Sequence, residues 1–105
     1  MREEEARLLL AQVPDWAIQT TSPTGLLHLT RTFTFADFHA TMAFVNAVAE
    51  TAHDQDHHPD MTVSYNRCTV SWNTHSVNGL SVSDFICAAR VDRHFSSFAR
   101  PADVS

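Results

Sequence analysis

Three of the chain's seven histidines, His53, His57 and His58, crowd one short segment, and a fourth, His75, closes a later strand-like run. Neutral imidazole has an ordinary pKa near ~6.5, so such side chains can both donate and accept protons at cellular pH. A cluster of two or three suits a reaction that takes a proton from one atom and returns one to its neighbour, as an elimination of water does. Two other readings compete. The stretch His53-Asp54-Gln55-Asp56-His57-His58-Pro59-Asp60 also fits a solvated polar loop. His53 and His57, four apart, further resemble the zinc motif H-E-x-x-H, with Asp54 in the glutamate position. That motif needs a helix through both histidines, and Pro59 threatens it. Asp is also shorter than Glu and falls short of a zinc-bound water, and neither Cys68 nor Cys87 sits at a ligand spacing. The zinc reading is weakened by these departures, while the solvated loop and metal-free acid–base chemistry both stay open on the residues alone.

The elements around these residues follow from periodicity. Residues 3–12 predict a short helix whose three glutamates favour its N-terminal dipole. Two strands follow, Trp16 to Thr20 and Leu26 to Thr34, joined by a Ser22-Pro23-Thr24-Gly25 turn. A longer helix is expected from about Phe35 to Ala52, with Thr34 and Asp37 at capping-box spacing and Phe38, Met42, Val45, Val48, Ala49 and Ala52 facing the core. Pro59 then places the histidines where helix gives way to loop. Met61 to Asn66 and Arg67 to Asn73 read as a hairpin with Asn66-Arg67 as its turn; Cys68, Val70 and Trp72 face inward, and Thr69, Ser71, Asn73 and His75 outward. The last helix runs from about Ser81 to Phe98, opened by a Ser81–Asp84 capping box and a Leu80–Phe85 hydrophobic staple. The expected fold is α+β: a four-stranded antiparallel sheet with three helices packed on one face, in the order α-β-β-α-β-β-α, as a single domain over 1–105.

Composition narrows the function. At 105 residues, 44% apolar and 18% charged, the chain is an ordinary globular domain, and seven Phe against one Tyr and two Trp point to an aromatic-rich core. A formal charge of −5 with scattered Lys and Arg argues against nucleic acid bound through a basic face. The acidic start Met1-Arg2-Glu3-Glu4-Glu5 is unlike a signal peptide, and Leu8-Leu9-Leu10-Ala11 is too short for a membrane span. Two cysteines make no disulfide framework, so reduced thiols in the cytoplasm are expected.

The ordered set His53-x-x-x-His57-His58-Pro59, Tyr65-Asn66, Ser71-x-x-Thr74-His75 and Gly79-Leu80-Ser81-x-x-Asp84 resembles the signature of the pterin-4a-carbinolamine dehydratases, also called 4a-hydroxytetrahydrobiopterin dehydratases. Looser similarity extends to Trp16, to Phe33–Phe38 and to Ala88-Ala89-Arg90-Val91-Asp92.

The resemblance implies a tetrahydropterin substrate hydroxylated at C4a, which loses water across C4a–N5 to give the quinonoid dihydropterin in tetrahydrobiopterin recycling. It implies no cofactor, since the pterin is the substrate, and no metal. It places His57, His58 and His75 in the pocket, with His57 and His75 expected as the acid–base pair and His58 holding the substrate. Asp84 is expected both to cap its helix and to orient a histidine; Trp16 is either core or pocket wall. His53 stands where relatives commonly carry Glu, so Asp54 or Asp56 supplies the charge or the acid–base balance differs. Met61-Thr62 replaces an aromatic pair found in some relatives. The family further implies a homodimer or homotetramer, while charge and the lack of a long apolar run leave neither nucleic acid nor membrane as an expected partner. Some relatives are protein-binding modules instead, stabilising a dimeric transcription factor or assembling carboxysomal Rubisco; the retained histidines favour the enzyme.

Overall fold

In the computed structural model of the chain, residues 1–21 and 25–98 are described, so most of the expected Ser22–Gly25 turn lies outside them. The elements are α1 (Glu3–Leu10), β1 (Ala17–Thr21), β2 (Leu26–Thr34), α2 (Phe38–Gln55), β3 (Asp60–Ser64), β4 (Arg67–Trp72) and α3 (Val82–Phe98), with a short 3-10 turn at His75–Val77. The strands form one antiparallel sheet in the order β1-β2-β4-β3. The α-β-β-α-β-β-α order and the one-sided helix layer are as the sequence predicts.

Alternation sets the two faces of the sheet. Register pairs Leu29 with Trp72, Arg31 with Val70 and Phe33 with Cys68, and all of these except Arg31 are buried beneath the helices. The opposite face carries Thr30, Thr32, Thr62, Thr69 and Ser71, with the Thr32 and Thr69 hydroxyls 2.8 Å apart. Phe33, Phe35, Phe44 and Phe95 supply the aromatic centre: Phe33 lies 4.7 Å from Phe44 and 4.8 Å from Phe95 between ring centroids. Arg31 is accommodated on the inner face because its guanidinium lies 4.4 Å over the Phe33 ring and donates to Asp92 of α3 at 2.8 Å. The Trp16 indole N–H donates to the same Asp92 oxygen at 2.8 Å, tying β1 and β2 to α3.

Three local expectations are corrected. First, α2 begins at Phe38, because Asp37 is the N-cap itself: its extended backbone (φ −156°) lets its carboxylate accept the Ala40 N–H at 2.8 Å. Second, the buried stripe of α2 is Thr41, Phe44, Val48, Thr51 and Ala52, while Phe38 and Ala49 are exposed. Two threonines occupy inward positions that hydrophobicity alone assigns elsewhere. Thr41 donates to the Asp37 and Tyr65 carbonyls, and the Thr51 hydroxyl bonds the His94 ring, so neither buries an unpaired hydroxyl. Third, the hairpin turn is Tyr65-Asn66, with Ser64 paired to Arg67. The Phe35 N–H bonds the Asn66 carbonyl at 2.8 Å, anchoring the turn to the approach to α2.

Candidate active site

Two chain junctions at the same end of the β3–β4 hairpin build the site. The first is the end of α2. Asp56 adopts the left-handed conformation (φ 48°, ψ 44°), its N–H bonds the His53 carbonyl, and the His57 N–H bonds the Ala52 carbonyl. This is a Schellman closure with Asp in the place usually held by Gly. His57 and His58 therefore lie beyond the helix, and the shared helical face that a His53–His57 metal motif requires does not form.

The second junction runs from β4 to α3. Thr74 and Gly79 exchange backbone hydrogen bonds at 2.7 and 3.3 Å, closing the loop that carries His75. Asn78 takes the left-handed conformation that this reversal needs. Leu80, buried, then leads into α3, whose first turn supplies Asp84.

Between the junctions lies an open cleft of about 430 Å³, with Asp56, His57, His58, Asp60, Asn73 and His75 among its lining residues. His58 and His75 are exposed; the His57 side chain is 16% exposed and Asp84 is fully buried. Asp84 is the hub. His57 Nε2 lies 2.6 Å from its Oδ1, while the Thr74 hydroxyl and the Ser81 N–H each donate to its Oδ2 at 2.8 Å. The Ser81–Asp84 box is thus half-formed: Asp84 accepts the Ser81 N–H, but the Ser81 hydroxyl turns to Thr74 Oγ1 at 2.7 Å. The other side of His57 is fixed by the Trp72 indole, stacked at 5.4 Å and inclined 23°. Trp72 is fully buried, and its indole N–H has no hydrogen-bond partner among the described residues.

The cleft therefore gathers His57, His58 and His75, with Asp84 directly behind His57. It does not gather the other two expected residues. His53 stays on the exposed last turn of α2 and is not a lining residue. Trp16 is buried in the core, bonded to Asp92, and borders a separate apolar groove of about 680 Å³ with Ile18, Leu27 and Leu80. Of the two carboxylates considered as replacements for a motif Glu, Asp56 lines the cleft. Asp54 instead faces the groove between α2 and α3 with Arg90, Arg93 and His94. Asp60, Asn73 and Ser76 also line the cleft; the sequence offered Asp60 only as the end of the polar stretch and Asn73 only as an outward strand position on the face of His75, and gave no sign of Ser76.

Burial pushes both thiols up to about 11, that of Cys87 with a further contribution from the negative charge of Asp84, opposed by Arg90. Neither cysteine is a nucleophile at neutral pH.

Chemically, the cleft offers imidazoles that can exchange protons with a polar ligand, one of them oriented by a buried carboxylate, beside carboxylates able to accept hydrogen bonds from the ligand. A family profile described as pterin 4 alpha carbinolamine dehydratase matches residues 1–94. A protein of Nitrosomonas eutropha is 50% identical over 93 residues, covering 88% of this chain and 77% of that protein. One from Xanthomonas campestris pv. campestris is 53% identical over 93 residues, covering 87% and 75%. Both bear the name "Putative pterin-4-alpha-carbinolamine dehydratase". Among solved structures, a transcriptional coactivator/pterin dehydratase from Brucella melitensis superposes with a TM-score of 0.79 at 32% identity, covering 90% of this chain and 96% of that one. A pterin dehydratase-like RuBisCO assembly factor of the alpha-carboxysome superposes at 0.64 with 21% identity, covering 76% and 88%, a likeness of fold alone.

Proposed function

The chain belongs to the pterin 4 alpha carbinolamine dehydratase family, and from that membership we propose that it eliminates water from a 4a-hydroxytetrahydropterin by metal-free histidine acid–base catalysis, in tetrahydrobiopterin recycling. The observation that carries this reading is the convergence of His57, His58 and His75 on one cleft, with Asp84 2.6 Å behind His57. The N5–H proton passes to one imidazole, and the N5 electron pair forms the C4a=N5 double bond. The C4a–O bond breaks, and the hydroxyl leaves as water with a proton from the second imidazole. Charge and atoms balance with no redox partner. His57 and His75 are the proton-exchanging pair and His58 a substrate-holding residue. Asp84 orients His57 and stabilises the imidazolium that forms there, as a buried carboxylate behind a catalytic histidine does.

A homodimer or homotetramer in the cytoplasm completes the proposal. The sheet leaves β1 and β3 as its edges, which a second copy can cover. No described helix is long and apolar enough to cross a membrane. The coactivator role in the name of the Brucella relative supports a second reading, a partner-binding module. The deciding experiment is a stopped assay on 4a-hydroxytetrahydropterin generated in situ. The wild-type chain accelerates dehydration, and the His57→Ala, His75→Ala double variant loses that acceleration while keeping its circular dichroism. An inactive wild type would give the partner-binding reading precedence; an active double variant would end the histidine mechanism.

A further inference from the structure

We infer that Thr74 and Ser81 are positioning residues that act through Asp84 to hold His57 in one tautomer, leaving Nδ1 as the ring atom that takes the proton. The inference rests on the dehydratase reading above and adds the atoms through which it operates.

Thr74 has a single hydroxyl proton, and it goes to Asp84 Oδ2 at 2.8 Å. The 2.7 Å contact between Thr74 and Ser81 must then be donated by Ser81. A directed chain results, from the Ser81 hydroxyl to the Thr74 hydroxyl to Asp84 Oδ2, joined there by the Ser81 N–H. With Oδ2 accepting twice, Oδ1 is the oxygen left for His57, and it lies 2.6 Å from Nε2. A carboxylate accepting at every contact fixes the proton of neutral His57 on Nε2. Nδ1 then carries the lone pair.

Nδ1 has no hydrogen-bond partner among the described residues and is not sealed in the interior, and the ring it belongs to lines the cleft. The Trp72 indole, stacked on the ring at 5.4 Å and inclined 23°, restricts rotation of the imidazole away from Asp84. Thr74 serves twice: its side chain holds Asp84, and its backbone closes the loop bearing His75. Both proton-exchanging imidazoles thereby hang on one residue, although its hydroxyl touches neither.

The test uses Thr74→Val, Thr74→Ser and Ser81→Ala in the full chain, read by long-range ¹H–¹⁵N NMR of the histidine rings and by steady-state kinetics. In the wild type, neutral His57 shows the Nε2–H tautomer alone. Thr74→Val keeps the fold, admits the Nδ1–H tautomer, and lowers kcat about ten- to hundredfold, by analogy with the outer partners of metal-ligating histidines, with KM little changed. Thr74→Ser, which keeps the hydroxyl, restores both readouts, and Ser81→Ala shows the same pattern more weakly. An unaltered tautomer or an unaltered kcat in a folded Thr74→Val protein would overturn the inference, as would failure of Thr74→Ser to restore them. If Thr74→Val does not fold, Ser81→Ala decides by the same criteria. If the wild type does not dehydrate the pterin, the function reading fails separately, and the tautomer of Thr74→Val alone decides the positioning role.

Discussion

The His57 imidazole lies against the Trp72 indole with ring centroids 5.4 Å apart, while its edge meets Asp84 at 2.6 Å. One face and one edge of the ring are thus fixed by different elements, β4 and α3. A histidine beyond the end of a helix would otherwise be free to rotate. Here the core itself sets its orientation.

The two tryptophans are equally deep but differently satisfied, which gives a contrast. Trp16 donates to a carboxylate at 2.8 Å, whereas the Trp72 N–H has no partner among the described residues. Trp16→Phe loses a hydrogen bond to a charged group; Trp72→Phe removes a desolvated donor at the cost of some packing. Trp16→Phe is therefore the more destabilising by about 1.5–3 kcal/mol. Urea unfolding of both variants measures the difference, and equal losses would contradict it.

The single histidine variants separate roles. His57→Ala and His75→Ala each lower kcat by about 10²–10⁴, the usual share of general acid–base catalysis. His58→Ala chiefly raises KM. His58 and His75 are exposed, so these two changes leave the urea midpoint within experimental scatter. A His75→Ala protein with undiminished kcat would show that the pairing is misassigned.

Stability should fall in alkali for an identifiable reason. The thiols of Cys68 and Cys87 are raised in the fold from 9.0 to about 11, so between these values the unfolded chain has lost protons that the folded chain retains. Fewer protons on the unfolded state means that stability decreases as pH rises through this window. Urea midpoints taken from pH 8 to pH 10.5 should decline, and a Cys68→Ala, Cys87→Ala double variant should decline less. Identical slopes would assign the loss to other groups.

Asp56 bears the steric cost of a left-handed backbone at φ 48°. Asp56→Gly removes a left-handed cost of about 1–2 kcal/mol and gives back part of it as unfolded-state entropy, so the variant should be more stable by about 0.5–1 kcal/mol. Its carboxylate also lines the cleft, so ligand affinity should weaken in the same protein. A higher melting temperature with weaker pterin binding, seen together by calorimetry, is the expected result.

Much of this was legible in residue order. Leu27, Leu29 and Phe33, alternating with His28, Thr30, Thr32 and Thr34, announced β2, and Pro59 announced that His57 and His58 would lie beyond their helix. His57, His58 and His75 could be grouped by type and by family resemblance, and one cleft receives all three. What was not legible depended on polar atoms satisfied at long range. Thr41 and Thr51 enter the buried stripe of α2 only because Tyr65 and His94 bond their hydroxyls. Trp16 is withdrawn from the cleft by Asp92, 76 residues away, a contact that no periodicity encodes. Asp37 looked like the third residue of a helix and proved to be its cap, because one backbone dihedral pair decides between them.

The Thr74–Gly79 bridge gives the loop it closes an unusual independence. Its two ends are joined to each other rather than only to the sheet, so, whereas Asn78 is held to residues that tolerate φ 52°, Ser76 and Val77 can change with little effect on β4 or α3. Variation there can reshape the entrance to the cleft while Thr74 keeps its grip on Asp84 and His75 keeps its mooring beside Thr74. Ser76, which lines the cleft, is the position where its rim can be remodelled with least effect on the buried Asp84 behind it.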